Sequence, residues 1–121
     1  PLWDKLTGKI DHDVANYMRE HGFDLRAFAE KNWATLGPQL GGKLHFSAGD
    51  MDDYWLNLAV YKFEDFLKAT TNPHVDADFV YGRPMKGHAW HSMTWANFIR
   101  HVAETVRKAA PSGENTTLWN Y

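Results

Sequence analysis

Two short stretches of this 121-residue chain carry the side chains best suited to chemistry. The first holds three carboxylates, Asp50, Asp52 and Asp53, and the second holds two imidazoles, His88 and His91. A carboxylate that orients a histidine and stabilises its charged form is the supporting half of a nucleophilic catalytic triad. Imidazole and carboxylate groups also bind zinc, so the same residues could serve a metal site.

Both stretches follow predicted β-strands. Residues 43–48 predict a short strand and residues 77–81 a second one, because each run combines β-branched or aromatic residues with flanking turn residues. Between them, apolar residues at steps of three and four from Leu56 to Leu67 predict a helix. Strand, helix, strand, helix over residues 43–110 is a βαβα unit with parallel strands. The loops at the carboxyl ends of neighbouring parallel strands lie side by side, so we expect a carboxylate of the first to meet an imidazole of the second.

The remaining residues predict a helical lead-in and a polar tail. Residues 1–42 hold two short helices, of which the second is expected to stop at Gly37-Pro38, and residues 111–121 form the tail. The helix that closes the βαβα unit is expected to bury an apolar stripe formed by Trp95, Phe98, Ile99, Val102 and Val106. Parallel strands are normally buried in a larger sheet, so we expect an α/β domain that is incomplete.

The composition excludes several classes of protein. A hydrophobic share of 44% suits one small folded domain, and a net charge of -2 offers no cationic field for a nucleic acid. No apolar run approaches the roughly 20 residues of a spanning helix, so no membrane span is predicted. The chain has no cysteine and hence no disulfide framework or thiolate metal site. No pattern calls for a cofactor, and we predict none.

Short motifs along the chain carry a family resemblance. They are Pro1 to Asp4 with Thr7 to Ile10, Asn32-Trp33 with Leu36 to Pro38, Gly42 to His45, and Gly49 to Asp52 with Tyr54 and Leu56-Asn57. With these motifs the chain resembles the C-terminal part of esterases of the α/β-hydrolase fold, in the enterochelin-esterase and esterase D group. The triad acid of that group lies in a G-x-x-D motif and its histidine in G-H-x-W, which match Gly49 to Asp52 and Gly87 to Trp90. The resemblance implies a serine esterase with Asp52 as the acid and His88 as the general base and acid.

One part of that family pattern is missing. The chain has no G-x-S-x-G motif, and its serines, Ser47, Ser92 and Ser112, lie in a predicted strand, beside the histidine loop and in the tail. The resemblance therefore implies that the nucleophilic serine and the oxyanion hole lie upstream, with a small-molecule ester as the substrate of the complete enzyme. Catalysis by this chain alone should be negligible, because no residue performs the nucleophilic step.

Several alternatives stay open at this point. Asp50 and Asp53 are rivals of Asp52 for the triad acid, and helix capping is the role we expect for Asp53. The H-x-x-H pair of His88 and His91 permits a zinc site, although it lacks the Glu and the helical spacing of the hydrolytic zinc motif. A non-catalytic binding or assembly module that keeps the same fold is the alternative function. The isolated chain is expected to self-associate through apolar residues of the sheet, namely Leu44, Phe46, Phe79 and Val80.

Overall fold

Two parallel strands lie at the centre of the computed structural model, which describes residues 1–119. Strand β1 (His45–Gly49) pairs in register with β2 (Asp78–Gly82), and a helix connects them. The predicted mixed α/β class and the parallel pairing are confirmed. Each strand begins one or two residues later than the sequence predicts, so both strands end on a glycine that was assigned to the following loop.

The chain also forms four α-helices. They are α1 (His12–Glu20), α2 (Leu25–Leu40), α3 (Leu56–Ala69) and α4 (Trp95–Lys108), followed by a 3₁₀ turn at Thr116–Leu118. Side chains of Asp11, Asp24 and Thr94 accept hydrogen bonds from the free backbone N–H groups that open α1, α2 and α4. None of the helices within residues 1–119 has the length and apolar character that crossing a membrane requires.

Helix α2 does not stop at Gly37-Pro38, as the sequence predicts, but continues past these residues. Its path is already interrupted at Asn32, whose φ of -111° and ψ of 16° are not helical. Pro38 lies in the last turn, where a missing N–H costs one backbone hydrogen bond. The indole of Trp33 donates to the carbonyl of Pro73 at 2.9 Å, so a tertiary contact helps to hold this second half of the helix.

The core is small and lies where α3 packs on β1 and α2 packs on α3. Its buried apolar residues are Ala29, Ala48, Leu67 and Val75. The rings of Phe46 and Phe79 stack across the two strands with centroids 4.7 Å apart. Pairs of this kind stabilise a sheet beyond the area that they bury, and here they align the two strands that carry the loops of interest.

Helix α4 contradicts the prediction that its apolar stripe is buried. The five stripe residues defined above are between 39% and 67% exposed. Two strands provide too little surface for a further helical layer, so no element of residues 1–119 covers the stripe. The chain exposes 9580 Å² in total, whereas a compact monomer of its mass exposes about 6,700 Å². An apolar face is therefore left uncovered.

This uncovered face predicts that the 121-residue chain self-associates in solution. Burying exposed Trp95 and Ile99 side chains between molecules is favourable by about 25 cal/mol per Å² of apolar surface. Light scattering coupled to gel filtration should show a mass that rises with concentration. A monodisperse monomer over a wide concentration range would contradict this prediction.

Candidate catalytic site

The loops that follow β1 and β2 meet at a hydrogen bond between Asp52 and His88. Oδ2 of Asp52 lies 2.8 Å from Nδ1 of His88. The carboxylate is nearly buried, with 5% of the side chain exposed, whereas the imidazole is 48% exposed. The structure thus brings together the two residues that the sequence singles out, and their catalytic role stays a prediction.

The second oxygen of Asp52 is bound by the backbone. Oδ1 accepts from the N–H of Tyr54 at 2.8 Å and lies 3.4 Å from the N–H of Leu56, the first residue of α3. The N-cap position of α3 is Trp55, which has a left-handed backbone (φ 61°) and makes no side-chain capping bond. Asp52 therefore makes two contacts at once, since Oδ1 accepts from the start of α3 and Oδ2 bonds to the histidine.

The two rival carboxylates do not contact the imidazole. Oδ1 of Asp50 accepts from the N–H of Lys86 at 2.8 Å. Oδ2 of Asp53 lies 3.5 Å from the backbone N–H of His88, at the outer limit of a hydrogen bond. The expectation that Asp53 caps the helix is wrong, because the turn directs its side chain across to the histidine loop and Asp52 serves the helix instead.

The charge state of Asp52 determines which atom carries the proton in the hydrogen bond with His88. Burial raises the pKa of Asp52, but hydrogen bonds from His88 and from the N–H groups of Tyr54 and Leu56 outweigh burial and hold the pKa below its ordinary value. At neutral pH the ionised carboxylate only accepts, so the proton lies on Nδ1 of His88 and a neutral ring has its lone pair on Nε2. Within residues 1–119, Nε2 has no hydrogen-bond partner. This is the arrangement of a general base with its orienting acid in place.

The lowered pKa of Asp52 predicts a loss of stability in acid. A carboxyl group with a lowered pKa stabilises the folded state above the ordinary value, 3.8 here, and the contribution disappears as the pH falls through the folded-state pKa. Urea unfolding of the wild type and Asp52→Asn should show the full difference in midpoint above the ordinary pKa of 3.8, and this difference should shrink as the pH falls through the lower folded-state pKa of Asp52. A midpoint difference that is independent of pH would contradict the assignment.

The loop that contains His88 approaches the ends of both strands so closely that each strand must end on a glycine. A Cβ atom on Gly49 would lie 2.1 Å from the carbonyl oxygen of Lys86. A Cβ atom on Gly82 would lie 2.3 Å from the indole ring of Trp90. The indole of Trp90 thus packs over Gly82 at the end of β2. Both glycines therefore set how closely the histidine loop approaches the strands.

The H-x-x-H pair does not assemble into a metal site in the described part of the chain. Nδ1 of His91 contacts the carbonyl oxygen of Met93, and its ring packs 4.6 Å from the ring of Trp95. No group of three or more His, Asp or Glu side chains in residues 1–119 lies close enough together to hold a metal ion. The described residues therefore provide no set of ligands for the zinc site that the sequence left open.

Sequence reasoning missed two contributors to the site. The ring of Tyr54 meets the imidazole of His88 edge to face, with centroids 4.8 Å apart. Asn57 is 5% exposed, and its Nδ2 donates to the carbonyl of Asp50 at 3.1 Å, while its Oδ1 has no partner in residues 1–119. The available signal was a polar amide in the first turn of the helix, a few residues after a loop of acids.

Comparisons with protein family models, with curated proteins and with solved structures found no match to this chain. Any functional assignment therefore depends on the geometry of the site and on the motifs in the sequence.

Proposed function

We propose that this segment supplies the acid and the histidine of the catalytic triad of a serine esterase with the α/β-hydrolase fold. The observation that carries the proposal is the 2.8 Å bond from the nearly buried Asp52 carboxylate to Nδ1 of His88, with Nε2 left without a partner in residues 1–119. The nucleophilic serine then belongs to the remainder of the sheet. We call the polypeptide that contains both this segment and that serine the parent polypeptide.

The proposed reaction is acyl transfer from a carboxylic ester. As the serine oxygen attacks the ester carbonyl, its proton passes to Nε2 of His88, and the imidazolium that forms is stabilised by Asp52. The ring then gives the proton to the departing alcohol, which leaves an acyl-serine. Water, deprotonated by the same nitrogen, hydrolyses that ester and restores the serine.

The position of the pair in the chain supports this mechanism. Asp52 follows β1 and His88 follows β2, which is the order of acid and histidine in α/β-hydrolase triads, and α4 comes after the histidine. The loops lie at the carboxyl ends of parallel strands, where open α/β sheets build their sites. Since Oδ1 of Asp52 is held by the backbone, Oδ2 has a fixed direction from which to orient the ring.

A second candidate is a non-catalytic binding or assembly module. The observation that favours it is the exposed apolar stripe of α4. In addition, no serine of residues 1–119 bonds to the imidazole of His88. This candidate keeps the Asp52 and His88 pair as a structural bond between the two loops.

A fluorophosphonate probe, which reacts with activated serines, distinguishes the two candidates. In the parent polypeptide the probe should label one serine outside the 121 residues, as mapped by mass spectrometry, and the 121-residue chain alone should stay unlabelled. Asp52→Asn should slow labelling, whereas Asp65→Asn, at an exposed carboxylate of α3, should leave the rate unchanged. A folded parent polypeptide in which no serine is labelled would favour the binding module.

A further inference from the structure

We propose that Asp50 is a positioning residue that holds the acid loop (residues 50–55) against the histidine loop (residues 83–94) and so sets the bond between Asp52 and His88. The inference rests on the proposed function, and it assigns to Asp50 a role other than that of triad acid. Its carboxylate is half-buried and points away from the imidazole, towards the backbone of Lys86.

Lys86 is held at both of its backbone polar atoms. Its N–H donates to Oδ1 of Asp50 at 2.8 Å, and its carbonyl accepts from the N–H of Met51 at 2.9 Å. A hydrogen bond from a backbone N–H to a carboxylate is charge-assisted and stronger than one between neutral groups. These two hydrogen bonds, which we call the lock, fix both the distance and the orientation of the Lys86 peptide relative to the acid loop.

Asp50 is itself held by two further elements. Its N–H donates to the carbonyl of Gly82 at 3.1 Å, which extends the pairing of the strands by one bond. Its carbonyl accepts from Nδ2 of Asn57 at 3.1 Å, and that amide is buried in the first turn of α3. One residue therefore connects the end of β2, the histidine loop and the start of α3.

The lock lies close enough to Asp52 and His88 to control the distance between them. Asp50 precedes Asp52 by two residues, and Lys86 precedes His88 by two, so both sides of the lock are one short step from the atoms that must meet. A hydrogen bond weakens steeply once its length passes about 3.5 Å. The contact of Asp53 with the N–H of His88 already has that length, so it contributes little to holding the two loops together. Relaxing the lock should therefore separate Asp52 from His88.

Two substitutions of Asp50 separate its geometry from its charge. Asp50→Asn removes the charge but keeps an oxygen at the right reach for the N–H of Lys86. Asp50→Glu keeps the charge but adds a methylene that displaces the carboxylate. Long-range ¹H–¹⁵N spectra of the 121-residue chain report which ring nitrogen of His88 bears the proton. We expect the Asn variant to keep the Nδ1–H tautomer of the wild type, and the Glu variant to shift towards the Nε2–H tautomer.

Activity of the parent polypeptide gives a second measurement. Asp50→Glu should lower kcat about 10-fold to 100-fold with little change in KM, since misplacement by about 1 Å costs that much, and Asp50→Asn should stay within a few-fold of the wild type. Asp65→Glu, an equal change at an exposed site on α3, is the matched control.

Each outcome bears on a different claim. If both Asp50 variants keep the wild-type tautomer and kcat while only the urea midpoint changes, Asp50 has a structural role alone and the inference fails. If the Asn variant loses the Nδ1–H tautomer while the Glu variant keeps it, the charge rather than the reach is what matters, and the inference also fails. If the wild type itself lacks the Nδ1–H tautomer, the proposed function fails before Asp50 is tested.

Discussion

Replacing His88 by Ala in the parent polypeptide is expected to lower kcat/KM for a p-nitrophenyl ester about 10⁴-fold to 10⁶-fold. The imidazole accepts the proton of the serine and later returns it, so its loss removes both proton transfers at once. The fold should survive, because the ring is half exposed and water can replace its bond to Asp52. Steady-state kinetics together with a circular dichroism spectrum measure both expectations.

His91→Ala provides the control for this experiment. His91 lies in the same loop, but its ring packs on Trp95 and its Nδ1 contacts a backbone carbonyl, away from the carboxylate of Asp52. We expect its kcat/KM to stay within a few-fold of the wild type. A folded His88→Ala variant that keeps more than about a tenth of the wild-type activity would remove the histidine from the mechanism.

The largest expected loss of stability comes from Gly49→Ala. The added Cβ would lie 2.1 Å from the carbonyl oxygen of Lys86 and 2.4 Å from that of Gly87, and neither backbone atom can rotate away. Overpacking of this kind costs about 3 kcal/mol or more, which is a large part of the stability of a small domain. Urea unfolding should show a much lower midpoint or an unfolded chain.

Gly41→Ala is the matched control for this substitution. No other atom of the described residues lies within 4 Å of a Cβ at Gly41, and the φ of -52° there suits any residue. We expect a change in the free energy of unfolding of less than about 0.5 kcal/mol. If Gly49→Ala is as stable as Gly41→Ala, the close approach of the histidine loop to β1 is incorrect, and with it the geometry of the site.

The meeting of the two loops could be predicted from the sequence because it depends on chain order. Two parallel strands bring their carboxyl ends to one edge, so the loops that follow them had to lie side by side, whereas the choice of Asp52 and His88 within these loops came from the family resemblance. The starts of α2 and α4 depend on the local capping residues Asp24 and Thr94, which are signals that act over a few residues and can be recognised in a sequence.

The remaining features depend on contacts that the sequence pattern does not encode. Which carboxylate of the acid loop faces the imidazole is decided by the turn at Trp55, whose left-handed backbone no local residue preference predicts. The burial of α4 was predicted from its periodicity, but periodicity states only that a stripe needs a partner surface and not that one is present. The continuation of α2 through Pro38 likewise depends on packing around it.

The ring nitrogens of His88 test the central claim most directly. Long-range ¹H–¹⁵N spectra at neutral pH should show the Nδ1–H tautomer in the wild type, with the Nδ1 proton shifted far downfield by its bond to the carboxylate. Asp52→Ala should abolish that proton signal and restore the Nε2–H tautomer that prevails in free histidine, whereas Asp65→Ala should change neither. If the wild type already shows the Nε2–H tautomer, with no downfield proton, Asp52 does not orient His88 and the account of this site is contradicted.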